Sequence, residues 1–278
     1  MQIRDYSLPA GWFPREKADV GAFLSEFDIS DRKKTASAAI APHAGWYYSG
    51  RTAALAVSSL SPNAQTIVVI GGHLQSGSPP LFAMEDAVKT PFGAMEIDLD
   101  LRSMLVNKLS GKEDRYRDNT VEVLLPMVHY FFPDAKLIWM RLGEDIDSFE
   151  KGKIISQTAA QLNININVLA STDLTHYGVN YGFMPKGSGE KALTWMRGVN
   201  DAAFIKAVES GSAQEVLCRA QKDSSSCSAG AVLGAMGYAG AEGLKPARLL
   251  EYSTSADVNP DGGIPDSFVG YAALSFEK

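Results

Sequence analysis

The chain has 278 residues, of which 45% are hydrophobic and 21% charged, as is usual for a globular protein of one large domain or two modest ones. Its net charge of −6 argues against nucleic acid or an anionic membrane surface as the main partner, because either would favour a basic face. There are only two cysteines, no apolar signal-peptide core and no run of roughly 18 apolar residues. These features predict a soluble cytoplasmic protein.

Hydrophobic periodicity predicts helices and strands that alternate along most of the chain. The predicted helices are 15–27, 50–60, 100–109, 120–131, 148–162 and most of 187–240, with breaks near Gly198 and Gly211. The predicted strands are 35–45, 65–73, 81–88, 94–99, 135–142, 165–172, 247–255 and 267–277. Alternating strands and helices favour parallel pairing. We therefore predict a single α/β domain over 1–278, with a central mixed, mainly parallel β-sheet flanked by helices.

Three of the four histidines follow predicted buried strands. His43, His73 and His176 each lie just past the carboxyl end of such a strand, whereas His129 lies among apolar residues on a helix, where a structural role fits best. The carboxyl ends of the strands form the ligand crevice of an open α/β sheet. One histidine in such a place is often a turn residue, but three of them indicate a shared site.

Cys227 follows three serines and precedes a run of small residues that predicts a helix. In the first turn of a helix, a cysteine is exposed to the positive end of the macrodipole, which favours the thiolate form. A thiolate is a nucleophile or a soft metal ligand, but a buried cysteine in a close-packed helix is also common. The local sequence leaves both interpretations open. Cys218 has the pattern of an ordinary helix residue.

Asp173 and His176 lie three residues apart in the turn that follows the strand 165–172. At this spacing a carboxylate can orient an imidazole, and the pair can serve as a general acid and base or support a metal ligand. The alternative is an Asx-turn at Asp173 beside an incidental histidine. We favour the functional interpretation.

Several sequence blocks resemble those of one known family. In chain order they read PHAGWYYSG, KTPFG, VEVLLP, STDLTHYG, CSAGAVLGAM and EYSTSADV. This order resembles that of the Memo-like protein family, also called AmmeMemoRadiSam system protein B, and the segment LPAGWFP is similar to the family's N-terminal aromatic–proline element. The resemblance covers essentially the whole chain. It implies a fold like that of the class III extradiol dioxygenases, with a metal site at the strand ends.

The resemblance also implies roles for individual residues. His43 and His73 match the family's two metal-binding histidines, and Cys227 matches its metal-binding cysteine. Asp173 and His176 match a polar pair that lines the same pocket, which makes them the candidate catalytic residues.

Two aromatic residues, Trp12 and Tyr48, match positions beside the pocket mouth and are the candidate substrate-binding residues. The chain also departs from the family at two positions. Asn119 replaces a histidine that is common in the pocket, and Leu74 replaces a second histidine next to His73.

Two imidazoles and a thiolate form a soft ligand set that suits iron, copper or zinc better than magnesium or calcium. Family members are associated with iron or copper and with redox chemistry, and a eukaryotic relative is linked to signalling and phosphotyrosine-peptide binding. The resemblance thus implies one transition-metal ion, with iron first and copper or zinc as alternatives. The leading hypothesis is a metal-dependent, dioxygenase-like oxidoreductase acting on an unknown small molecule or peptide. A zinc hydrolase and a non-catalytic peptide-binding or metal-handling protein are the alternatives.

Overall fold

A computed structural model describes residues 1–27, 34–258 and 262–278. The strands are β1 (Ile3–Arg4), β2 (Ala36–Ala41), β3 (Thr66–Leu74), β4 (Leu81–Phe82), β5 (Ala87–Thr90), β6 (Gly93–Glu96), β7 (Lys112–Glu113), β8 (Lys136–Gly143), β9 (Ile166–Ser171), β10 (His176–Gly178), β11 (Arg248–Thr254) and β12 (Ser267–Glu277). The helices are α1 (Lys17–Ser25), α2 (Trp46–Ser59), α3 (Leu99–Leu109), α4 (Asn119–Glu122), α5 (Leu125–Phe131), α6 (Asp147–Leu162), α7 (Glu190–Trp195), α8 (Ala202–Glu209), α9 (Ala213–Asp223) and α10 (Ala229–Ala241).

Within these residues, a nine-stranded mixed sheet forms the centre of the molecule, in the order β10-β12-β2-β9-β3-β8-β4-β7, with β11 paired to β12. The four central strands, β2, β9, β3 and β8, are parallel to one another. The last strand, β12, runs antiparallel to β2 and also pairs antiparallel with β10 and β11. This arrangement confirms the predicted α/β fold with a mixed sheet. Strands β1, β5 and β6 form a separate small sheet.

The central strands are buried on both faces, which explains why their sequences read as continuous apolar runs. Alternate residues of β3 point to opposite layers, as the two-residue period of a strand requires. Val68 and Ile70 belong to one hydrophobic cluster, whereas Ile67 and Val69 belong to the other. Helices cover both faces, so the carboxyl ends of the strands are left as the open edge. Within the described parts of the chain, no helix combines the length and apolar character that a membrane span requires.

Close packing between α10 and α6 explains the small residues of α10. A side-chain carbon added at Gly237 would lie 1.8 Å from the carbonyl oxygen of Phe149, and one added at Gly152 would lie 2.0 Å from that of Gly234. The two backbones therefore approach more closely than any larger residue would permit. This contact fixes α10, and thereby the segment that leads into its first turn, against the sheet.

The structure corrects two predicted helix boundaries. The single helix expected over 120–131 is two helices, α4 and α5, because Pro126 near the start of α5 has no N–H to donate to the preceding turn. Gly198 does not break its helix, because it lies in a π-helical segment, Met196–Asp201, that joins α7 to α8. The break occurs at Gly211, which adopts a positive φ of 75°.

We expect Gly237→Ala to lower the free energy of unfolding by about 1–3 kcal/mol, because the added methyl group meets the backbone of α6. The matched control is Gly240→Ala on the exposed side of the same helix, where the nearest atom is 3.9 Å away. That change should be neutral or stabilising by up to about 1 kcal/mol through helix propensity. Urea unfolding followed by circular dichroism measures both values. Equal effects of the two substitutions would contradict the close-packing explanation.

Candidate metal centre

His43 lies two residues after the end of β2 and is held by three hydrogen bonds. Its ring Nδ1 is 2.8 Å from the Ser171 hydroxyl, its main-chain N–H donates to the Asp173 carboxylate at 2.7 Å, and its carbonyl accepts from the Asn119 side chain at 2.8 Å. The side chain is 1% exposed. These bonds leave Nε2 facing Cys227, whose Sγ is 3.2 Å away.

His73 lies at the end of β3 and takes a left-handed backbone conformation, with φ of 55°. This conformation is uncommon for a residue other than glycine and often marks a functional site. The ring Nδ1 is 3.0 Å from the carboxylate of Asp118, the N-cap residue of α4. Burial disfavours the charged form of His73, but Asp118 and the Cys227 thiolate outweigh it and raise the pKa of His73 to about 10.

Asp118 is held in turn by groups that stabilise its negative charge. Its Oδ1 accepts from the Thr120 N–H at 2.9 Å, and Arg141 lies 3.7 Å from Oδ2. Burial alone would raise the pKa of Asp118, but the bonds with His73 and Thr120 and the charge of Arg141 hold it well below its usual range. A charged carboxylate behind the ring fixes the orientation of His73.

Cys227 lies in the connection between α9 and α10, where its N–H donates to the Asp173 carbonyl at 3.2 Å. Burial would raise the pKa of Cys227, but the charges and hydrogen bonds of His43 and His73 outweigh it and hold that pKa well below its ordinary value. The structure corrects the placement of this residue in a first helical turn, because Ser228 is the N-cap and α10 begins after it. The two imidazoles are the groups that lower the pKa of Cys227.

His43, His73 and Cys227 converge on one point. One potential ligand atom from each lies within 4.8 Å of the other two, and the two imidazole rings are nearly perpendicular at a centroid distance of 4.9 Å. Ligands at the usual 2.0–2.3 Å from a tetrahedral ion are about 3.3–3.8 Å apart. A small movement of the side chains would therefore place all three around a single ion. The donor set, two nitrogens and one sulfur, fits a soft or borderline transition metal.

Asp173 and His176 lie at the same site but do not form a pair with each other. Within the described residues, the hydrogen bond of the Asp173 carboxylate is to the main chain of His43, and no bond joins it to His176. Asp173 thus holds the backbone of His43 and does not orient the His176 ring, contrary to the expectation. Burial is the main reason that the pKa of Asp173 is raised, although the charge of His43 opposes it. His176 instead packs edge-on against Tyr181, with ring centroids 4.9 Å apart.

A cavity of about 930 Å³ opens over these residues. Its lining includes every sequence-predicted site residue except Cys227, namely Trp12, His43, Tyr48, His73, Asp173 and His176. Tyr48 is 49% exposed at the mouth, where it packs edge-on against Tyr47 at a centroid distance of 5.0 Å. The cavity is thus lined by both imidazoles but not by the thiol.

Sequence reasoning missed Ser171 and Asp118, the two partners of the imidazole rings. A signal existed for each of them. Ser171 is the first polar residue after a buried apolar run, and Asp118 stands where a helix N-cap is expected. Neither pattern indicates which ring it will meet, because that depends on the pairing of the strands.

Comparison with known proteins finds relatives that match nearly the whole chain. A MEMO1 family protein of Thermococcus onnurineus (strain NA1) is 31% identical over 265 residues, which cover 90% of this chain and 89% of the relative. One from Archaeoglobus fulgidus is 28% identical over 282 residues, 99% of both chains. The solved structure of an uncharacterized protein from Escherichia coli K12 aligns over 85% of this chain and 98% of the E. coli chain, with a TM-score of 0.51. Because the sequences are only 11% identical, this similarity supports the fold alone.

The match to a family model extends over almost all of the chain. The model described as Memo-like protein aligns with residues 4–275, a range that includes both central histidines and the cysteine of the candidate centre. The strand ends and connections that carry these three residues thus all lie inside the matched region. The chain belongs to the Memo-like protein family.

Proposed function

We propose that the protein is a metal-dependent redox enzyme in which His43, His73 and Cys227 hold one transition-metal ion. The observation that carries the proposal is the placement of their ligand atoms within 4.8 Å of one another. Iron is the ion we place first, with copper or zinc as alternatives, since two imidazoles and a thiolate suit all three. When bound, such an ion supplies electron transfer or polarises a substrate oxygen.

The groups that hold the two imidazole rings support the same assignment. Ser171 holds the Nδ1 side of His43 and Asp118 holds the Nδ1 side of His73, so that each ring presents its other nitrogen in a fixed direction. Each imidazole must be neutral to bind a metal, and the cysteine must be a thiolate. The low pKa of Cys227 provides the thiolate without a further deprotonation step.

The cavity supplies what a substrate needs beside this centre. Its volume of about 930 Å³ lies in the range of small-molecule pockets and also admits the side chain of a peptide. Trp12 and Tyr48 offer aromatic surface at the mouth, and His176 projects into the space as a group that both donates and accepts protons. We assign His176 as the general acid or base, with Asp173 as the carboxylate of the same pocket.

Neither Cys218 nor Cys227 forms a disulfide, which suits a reducing compartment such as the cytoplasm.

The assignment of ligands predicts a clear division among alanine variants. His43→Ala and Cys227→Ala should lose the metal, whereas His176→Ala should retain it at near wild-type stoichiometry. The measurement is metal content after anaerobic reconstitution with Fe(II), with circular dichroism as the folding control. If His176→Ala loses its metal as completely as His43→Ala, then His176 is a ligand and the division of roles is wrong.

The same variants separate the redox enzyme from its alternatives. Wild-type protein with iron or copper should consume oxygen with a phenolic substrate panel, and His176→Ala should turn over about 10²–10⁴-fold more slowly. Retention of zinc together with ester or amide hydrolysis would support the hydrolase. Stoichiometric metal with neither activity would support a metal-handling or peptide-binding protein.

Cys227 should react with iodoacetamide faster than Cys218 in the metal-free protein, and bound metal should protect it. Because the pKa of Cys227 is depressed, its thiolate fraction, and with it the reaction rate, should fall less steeply with decreasing pH than for an ordinary thiol. Peptide mass spectrometry of the two labelled sites gives both rates. Equal labelling of the two cysteines, with no effect of metal, would count against the thiolate.

A further inference from the structure

The π-helical segment Met196–Asp201 lies behind the candidate metal centre and ends in two buried polar residues. Asn200 is 5% exposed and Asp201 is fully buried, and neither lines the cavity. A π-helical turn within a helix is rare and is found frequently at functional sites. Each of the two side chains makes bonds to a segment that carries residues of the site.

Asp201 binds the turn that contains Asp173 and His176. Its Oδ1 accepts from both the main-chain N–H and the hydroxyl of Thr175, and its Oδ2 accepts from the Tyr252 hydroxyl at 2.7 Å. The backbone of Gly270 passes so close that an added side-chain carbon would lie 2.0 Å from Oδ2. The carboxylate is thus enclosed, and the position of Thr175 relative to the helical layer is fixed.

Asn200 joins this turn to the segment that leads to Cys227. Its side-chain N–H₂ donates to the Thr175 hydroxyl at 2.9 Å and to the carbonyl of Asp223 at 2.9 Å. Asp223 is the last residue of α9, and Ser224 then reverses the chain with φ of 50°. One amide therefore sets the distance between two chain segments that are far apart in sequence.

The Cys227 segment also contacts the turn directly. The Thr172 hydroxyl is 2.8 Å from that of Ser226 and accepts from the Ser228 N–H at 3.2 Å, while the Cys227 N–H donates to Asp173. These bonds hold the segment near its end at α10. Asn200 holds it at the other end, where it leaves α9, so that both ends are fixed relative to the same turn.

We propose that Asn200 is a positioning residue for the Cys227 thiolate, acting through the Thr175 and Asp223 bonds. This inference rests on the proposed function, because it takes Cys227 as a metal ligand. Loss of the amide bond frees the connection from α9 at its first residue. The sulfur then samples a wider range of positions, whereas the two histidines, which are held by Ser171 and Asp118, keep theirs.

The test compares Asn200→Asp with Asn167→Asp, using Co(II) as the probe. Asn167 is a matched control, because it is 2% exposed and its side-chain amide also donates to a backbone carbonyl, that of Ser61, at 2.7 Å. It lies at the start of β9, whereas the site lies at the strand's other end. In both aspartate variants, a carboxylate oxygen replaces the side-chain N–H₂ that donates to a carbonyl oxygen, and the side-chain volume hardly changes.

Asn200→Asp should bind Co(II) about tenfold more weakly than wild type and lose intensity in its thiolate-to-cobalt charge-transfer band. Asn167→Asp should lower the melting temperature, but its Co(II) affinity and the intensity of its charge-transfer band should stay within about twofold of wild type. Asn200→Ala and Asn167→Ala repeat the comparison without burying a new carboxylate. If either aspartate variant does not fold, the alanine pair provides the test.

The positioning role is wrong if the Asn200 variants keep the Co(II) affinity and the charge-transfer band of wild type. It is also wrong if the Asn200 and Asn167 variants lose affinity and band intensity equally. Neither result would affect the proposed metal centre. Absence of the thiolate band in wild-type protein that binds Co(II) would instead overturn Cys227 as a ligand, and with it both proposals. The two failures are therefore distinguishable in one titration series.

Discussion

The buried Asp173 carboxylate is the group on which the geometry of the centre depends. It is 3% exposed, and a carboxyl at that depth is costly unless hydrogen-bonded. Its side chain accepts from the main chain of His43, and its carbonyl accepts from the main chain of Cys227. The bonds that satisfy this one residue therefore fix the backbones of two proposed ligands, which explains why a histidine and a cysteine 184 positions apart meet at 3.2 Å.

The charges of the centre are balanced within the protein. The pKa values of His43 and His73 are raised in part by the Cys227 thiolate, and the pKa of Cys227 is lowered in turn by the two imidazoles. The charged forms of the rings and of the thiol thus stabilise one another, and a metal ion would compete with the ring protons for the same nitrogens. Binding of a metal to this ligand set replaces those protons, so metal affinity and proton release are linked. The arrangement explains how a thiolate persists at a partly buried position.

The sequence was sufficient to predict the fold and the convergence at the strand ends, because long apolar runs mark doubly buried strands and His43 and His73 stand at their carboxyl ends. For Cys227 the local sequence left the thiolate open, because the two imidazoles that lower its pKa come from other segments of the chain, which no local pattern reveals. The roles of Asn200 and Asp201 were invisible, because a π-helical turn and its partners in two other segments are determined by tertiary packing.

The strand order explains why the centre forms where it does. His43 lies just after β2 and His73 lies at the end of β3, and β9 lies between these strands, so their ends are about 9.6 Å apart across the sheet. The two ring centroids nevertheless lie 4.9 Å apart, because the two side chains turn towards each other. Ser171, the last residue of β9, contacts the His43 ring, and Thr172 directly after it accepts from the Ser228 N–H. The dense polar cluster at this strand end thus follows from the strand order, since β9 ends between the two strands that lead to the histidines.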